Sequence, residues 1–113
     1  MIDDIFCKII NGELKSEPVY QDNRVVVVKD IHPQAPVHLL VIPRQHFDGL
    51  GDASQEVLGY LLNVAHKVAD EQGLSRGYRI VINEGEHGGK LVPHLHLHLL
   101  GGKKLGPKIV VSE

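Results

Sequence analysis

Apolar and polar positions repeat along this chain with two periods, one helical and one alternating, and the two divide it into seven elements. Ile5, Phe6, Ile9 and Ile10 recur at helical spacing behind Asp3 and Asp4, whose carboxylates suit a helix N-terminus; with Gly12 as the stop, a short helix is predicted over 3–11. Residues 19–21 read as a strand, and Asp22-Asn23 as a turn. The β-branched run over 24–30 reads as a second strand and residues 38–43 as a third. Pro33 and Pro36 keep the segment between them from being helical, so these two strands form a wide hairpin. Asp52 and Gln55 have capping-box spacing, and Val57, Leu58, Leu61, Leu62, Ala65, Val68 and Ala69 follow on one helical stripe, which Gly73 ends. This predicts a long amphipathic helix over 53–72. Strands over 78–83 and 92–100 close the pattern, joined by a glycine-rich loop over 84–90.

The order is helix, three strands, long helix, two strands, without regular βαβ alternation. That favours an α+β fold, an antiparallel five-stranded sheet with one short and one long helix. With 113 residues the chain is read as a single domain, 103–113 being a C-terminal tail. It has no Trp, three Tyr and two Phe, so Val, Leu and Ile must make the core.

The net charge of −2 argues against a nucleic-acid partner, which would require a basic surface. Lys103, Lys104 and Lys108 form only a loose basic cluster. A single cysteine, Cys7, rules out an internal disulfide and fits a reducing compartment. Met1-Ile2-Asp3-Asp4 is acidic where a signal peptide is positive, and no apolar run is long enough to span a membrane. The expectation is a cytoplasmic protein without a membrane partner.

The chemistry concentrates in Pro93-His94-Leu95-His96-Leu97-His98-Leu99. In an extended segment His94, His96 and His98 share one face and the leucines the other. Three histidines on one face would each lose hydration and each need a partner, which points to function. One reading is metal binding through a His-x-His pair. His94 and His98 lie about 13 Å apart along a strand, too far to share one ion. The other reading is phosphoryl chemistry: a neutral imidazole attacks phosphorus, and its neighbours bind oxyanion charge. Gly88-Gly89, just upstream, allow close backbone approach to a phosphate, and Asn83 supplies an amide. These parts suit displacement at phosphorus without a required cofactor.

His94 to Leu100 followed by Gly101-Gly102 resembles the histidine-triad motif. The resemblance extends through Ile82-Asn83-Glu84-Gly85, Gly88-Gly89, the segment Asp30 to His38, Leu40 to Pro43, and Ile5 to Ile10. It is strongest to the nucleotide-binding, nucleoside phosphoramidase branch of the histidine-triad (HIT) family. It implies that His96 is the nucleophile toward the α-phosphorus of a purine nucleotide substrate and forms a nucleotidyl-histidine intermediate. His98 would bind a phosphate oxygen or assist the leaving group, His94 would hold the strand and the ring of His96, and His38 would support the triad. Asp30 would accept from ribose hydroxyls; Ile31, Phe6 and Ile9 would form a purine slot; Asn83 and the backbone of Gly89, Lys90 and Leu91 would cradle phosphate. The resemblance also implies a homodimer built through the 78–83 strand and the 53–72 helix, with Tyr60 and Leu61 beside the apolar stripe.

Two departures from the family pattern stand out. Leu91 occupies a position where the family carries Ser or Thr, which removes a hydroxyl from the leaving-group side. Some bacterial relatives bind zinc through two cysteines and two histidines; here Cys7 matches the second cysteine and Asp4 replaces the first, with His46 and His94 to complete a mixed site. The plainer reading of Cys7 is a small buried hydrophobe. Alternatives to a phosphoramidase are a dinucleoside polyphosphate hydrolase, a nucleotide-binding regulatory module with little turnover, and a zinc-dependent binding protein. His32, His66 and His87 receive no role.

Overall fold

The computed structural model describes residues 4–12 and 17–107. The expected tail beyond 107, and Asp3, lie outside the described residues. The elements run α1 (Ile5–Ile10), β1 (Tyr20–Gln21), β2 (Val25–Lys29), β3 (Val37–Pro43), a 3-10 turn (Leu50–Asp52), α2 (Gln55–Glu71), β4 (Tyr78–Val81) and β5 (Leu97–Gly101). The five strands form one antiparallel sheet in the order β1-β2-β3-β5-β4, as the α+β reading expected. The β2–β3 hairpin pairs Val25 with Pro43 and Lys29 with Leu39.

Alternation along the strands divides the core in two. Val25, Val27, Leu39, Val41, Leu97 and Leu99 pack on the α2 face with Leu61, Val64, Ala65, Val68 and Ala69. Val26, Val28, Leu40 and Ile42 face the other way and pack on Phe6, Ile9 and Ile10 of α1. The long helix thus covers one face of the sheet, while the short one covers only part of the other and leaves room for a site.

Helix ends follow local chemistry. Asp4 caps α1, its Oδ1 accepting the Cys7 N–H at 2.8 Å. For α2 the cap is Ser54, whose Oγ accepts the Val57 N–H at 3.2 Å. The expected Asp52 cap does not form: Asp52 closes the 3-10 turn and accepts the Asp48 N–H at 3.2 Å, so α2 starts at Gln55. At the far end Gly73 has φ 76°, the Gly73 N–H reaches the Asp70 carbonyl at 3.0 Å, and the Leu74 N–H reaches that of Ala69 at 3.0 Å. This paired ending satisfies two orphan carbonyls.

Three expectations need correcting. Leu62 is 47% exposed and lies off the buried stripe, which Val64 completes instead. Tyr60 and Leu61 say nothing about a partner: Leu61 is in the core, and the Tyr60 hydroxyl is bound to Asp22. The last strand begins at Leu97, not at 92. Pro93 has no N–H, the His94 N–H turns to the Val92 carbonyl at 2.8 Å, and the Leu95 N–H bonds the Phe47 carbonyl at 2.7 Å. The alternation survives without the ladder: Leu95, Leu97 and Leu99 are in the α2-side core.

Candidate active site

A cleft of about 520 Å³ opens on the α1 side of the sheet. Its apolar walls include Phe6, Ile9, Val28, Ile31 and Leu40; its polar end holds Asp30, Asn83, Gly89, His96 and His98. Leu91, 92% exposed, and Ile31, 79% exposed, stand at its rim. Most of the residues expected to bind or react thus converge on one space. His38, His94 and the Lys90 side chain do not line it: the two histidines are buried behind the wall, and the Lys90 ammonium donates to the Asp48 carbonyl. Val28 and Leu40 were not foreseen as wall residues; their alternation in the strands is the signal that finds them. His32, left without a role, also lines the cleft.

Hydrogen bonds fix the protons of the triad. His96 Nδ1 lies 2.7 Å from the His94 carbonyl, which can only accept, so Nδ1 carries the hydrogen and Nε2 keeps its lone pair. The ring packs edge-on against Phe6 at 4.7 Å. Burial lowers the His96 pKa below its usual 6.5, with the His94 carbonyl bond opposing the shift. His98 is also lowered, by burial first and then by the neighbouring His96 and His38. Burial thus favours the neutral form of both rings. His98 Nδ1 meets His38 Nε2 at 2.9 Å.

The glycine loop is built tightly. A Cβ on Gly88 would stand 2.2 Å from the Glu84 carbonyl oxygen, so no larger residue fits there without a shift. Asn83 Nδ2 donates to the Gly88 carbonyl at 2.7 Å. The Gly89 and Lys90 N–H groups are spent on the Glu86 and Gly85 carbonyls, at 3.0 and 3.1 Å. Among the described residues, the Leu91 N–H is the one of these three left for a ligand.

A second cluster lies behind His94. Asp4, Cys7, His46 and His94 each bring one donor atom within 4.8 Å of the other three. Cys7 Sγ is 3.5 Å from His46 Nδ1 and 3.6 Å from His94 Nδ1, and Asp4 Oδ2 is 3.3 Å from each of those nitrogens. Bonds of roughly 2.0–2.3 Å to a tetrahedral zinc subtend about these spacings. The outer ring nitrogens face acceptors, His94 Nε2 on the Pro43 carbonyl at 3.0 Å and His46 Nε2 on Asp48 Oδ1 at 2.8 Å. Neutral rings held this way would turn their Nδ1 lone pairs toward Asp4 and Cys7, as a ligand set requires. Burial raises the Asp4 pKa, but the Cys7 N–H and the nearby His94 outweigh it, so the net shift is downward.

Comparison with known proteins agrees with this geometry. The HIT domain family model matches residues 11–105. The chain belongs to the HIT domain family. It is 46% identical over 109 residues to a purine nucleoside phosphoramidase of Escherichia coli, covering 93% of this chain and 92% of that protein. It is 49% identical over 106 residues to a 14 kDa zinc-binding protein of Zea mays, covering 89% of this chain and 83% of that one. Among solved structures, a HIT family hydrolase from Clostridium thermocellum superposes with a TM-score of 0.91 at 43% identity, covering 97% of this chain and 99% of the other. This HIT chain thus shares sequence and fold with hydrolases of the family, and no helix among its described residues is long and apolar enough to cross a membrane.

Proposed function

We propose that this HIT protein hydrolyses the P–N bond of purine nucleoside 5′-phosphoramidates. The observation that carries the reading is the His96 ring: its Nδ1 hydrogen is held by the His94 carbonyl, which leaves Nε2 of the neutral ring unprotonated, and the residue lines the cleft that holds Asp30, Asn83 and the apolar slot. His96 Nε2 attacks the α-phosphorus; the P–N bond breaks and the amine leaves with a proton taken from solvent, which the water of the second step returns. A water then attacks the nucleotidyl-histidine, the P–Nε2 bond breaks, and nucleoside monophosphate departs with the imidazole restored. His98 donates to a phosphoryl oxygen, Asp30 accepts from ribose hydroxyls, and Phe6, Ile9 and Ile31 hold the base. The relationship to the Escherichia coli phosphoramidase supports the substrate class.

The test is amine release from an adenosine 5′-phosphoramidate carrying a fluorescent amine, with wild type and His96→Ala compared. Turnover that disappears in the variant supports the reading. Turnover that survives overturns the nucleophile, and tight nucleotide binding without turnover points to a regulatory module. Release of nucleotide from a dinucleoside polyphosphate in preference to the amine would select that alternative.

The chain is read as one domain acting as a homodimer, through the open edge of β4 and the α2 surface where Leu62 is exposed. A monomer in light scattering at micromolar concentration would refute the dimer. A zinc reading is favoured by the donor set of Asp4, Cys7, His46 and His94, which fits a four-coordinate structural ion. Such an ion would tie α1 to the segment ahead of β5, and the chemistry at His96 does not pass through it.

A further inference from the structure

His38 is buried, and both of its ring nitrogens are engaged. The Gln34 N–H donates to Nδ1 at 3.0 Å, so Nδ1 is an acceptor and the ring hydrogen sits on Nε2. That hydrogen faces two acceptors, His98 Nδ1 at 2.9 Å and Asp30 Oδ2 at 3.3 Å. The other Asp30 oxygen, Oδ1, accepts the His32 N–H at 2.8 Å, and the Asp30 N–H bonds the His38 carbonyl at 3.0 Å. The carboxylate is therefore fixed in rotation. Its side chain is 17% exposed and belongs to the cleft wall.

We propose that Asp30 is a positioning residue for the triad in addition to any contact with ribose: it holds the His38 ring with its Nε2–H aimed at His98, and His38 in turn holds His98 with its hydrogen on Nε2, toward the phosphoryl group. The proposal deepens the phosphoramidase reading and rests on it for its kinetic arm. Because His98 Nδ1 accepts from His38, a neutral His98 must carry its hydrogen on the nitrogen that remains. The two reacting histidines then stand in opposite tautomers, His96 with a lone pair on Nε2 and His98 with a donor there. No proton changes owner in this arrangement; it decides which nitrogen attacks and which donates.

Asp30→Asn is the discriminating variant. Oδ1 must stay an acceptor for the His32 N–H, so the amide nitrogen replaces Oδ2 and points a donor at a donor. His38 cannot escape by moving its hydrogen to Nδ1, where the Gln34 N–H already points. The clash of donors must then push the His38 ring aside, which breaks its Nε2–H bond to His98 Nδ1 and leaves His98 held in neither tautomer. The loss of one transition-state donor lowers kcat by roughly 100-fold. Kinetics are measured for wild type and variant on ribo- and 2′,3′-dideoxynucleoside phosphoramidates, with nitrogen NMR of the histidine rings on both proteins. The expected result is a kcat loss of that size on both substrates, with the His98 ring nitrogens shifted away from the Nε2–H pattern. If Asp30 only binds ribose, the variant raises KM on the ribonucleotide, has no effect on the dideoxy substrate and leaves the ring signals unchanged; that result overturns the proposal. Failure of the wild type to turn over any phosphoramidate would sink the functional reading alone, because the NMR arm still decides the tautomer of His98.

Discussion

Replacing Asp22 with alanine should cost this fold about 2–3 kcal/mol at pH 7. Asp22 sits in the turn between β1 and β2 and accepts four hydrogen bonds. Oδ1 takes the Arg24 and Val25 N–H groups, both at 2.8 Å; Oδ2 takes the Tyr20 hydroxyl at 2.9 Å and the Tyr60 hydroxyl at 2.5 Å. Tyr60 belongs to α2, so this one carboxylate joins the sheet edge to the long helix. Burial raises its pKa, but the hydroxyl of Tyr60, the N–H of Arg24 and the remaining donors outweigh it and hold it at about 2, against the usual 3.8. At roughly 1.4 kcal/mol per unit the ionic part is about 2.5 kcal/mol, or about 1.5 after allowing for solvent screening of a half-buried group. The lost turn bonds add about 1 kcal/mol. Because the folded pKa is depressed, the ionic part is fully present above pH 3.8 and is lost as pH falls through 2. Urea unfolding followed by far-UV circular dichroism, at one fixed protein concentration, should therefore show a gap between wild type and Asp22→Ala that is nearly constant from pH 7 to about 5. By pH 3 it should have narrowed by about half of the ionic part. A gap below about 0.5 kcal/mol at pH 7, or one of equal size at pH 7 and pH 3, would refute the reasoning.

The remaining predictions concern the cleft and the cluster behind it. Burial depresses the pKa of His96 and His98, so the acid limb of kcat/KM should have its midpoint below pH 6.5, activity being lost as the nucleophile gains a proton; a midpoint at or above 6.5 contradicts the burial argument. Gly88→Ala forces a Cβ into the Glu84 carbonyl, and should lower both the melting temperature, through about 1–3 kcal/mol of strain, and kcat/KM; wild-type turnover in the variant would show that the loop does not place phosphate. Metal analysis of the purified protein should find about one zinc per chain, reduced in Cys7→Ser and in Asp4→Ala, and an equal content in all three proteins would dismiss the site.

Much of the site was legible in the sequence because strand alternation is a local property. Alternation placed Leu95, Leu97 and Leu99 in the core and the three histidines opposite, even though the ladder begins only at Leu97. Helix stops were equally local: Gly73 ends α2 where the pattern said, since few other residues accept its positive φ. The cap at Ser54 was missed because Asp52 and Ser54 compete for the same role two residues apart, and the contact that removes Asp52 is its bond to the Asp48 N–H in the preceding turn.

The sequence by itself determined the seven elements, their order, the antiparallel class and the sharing of one face by three histidines, because periodicity and residue type set these without reference to distant parts of the chain. Only the tertiary structure decided which ring nitrogen of His38 and of His96 holds a hydrogen. His38 meets its tautomer-setting partners at Gln34 and Asp30, but its proton matters at His98, 60 residues away. It likewise decided that Asp4 and Cys7 of α1 bring donor atoms within 4.8 Å of those of His46 and His94, and that the Gly89 and Lys90 amides are spent inside their own loop. These outcomes depend on distances of about 3 Å between groups far apart in the chain, and a hydrogen bond or a ligand set exists only once folding has brought both partners to that distance.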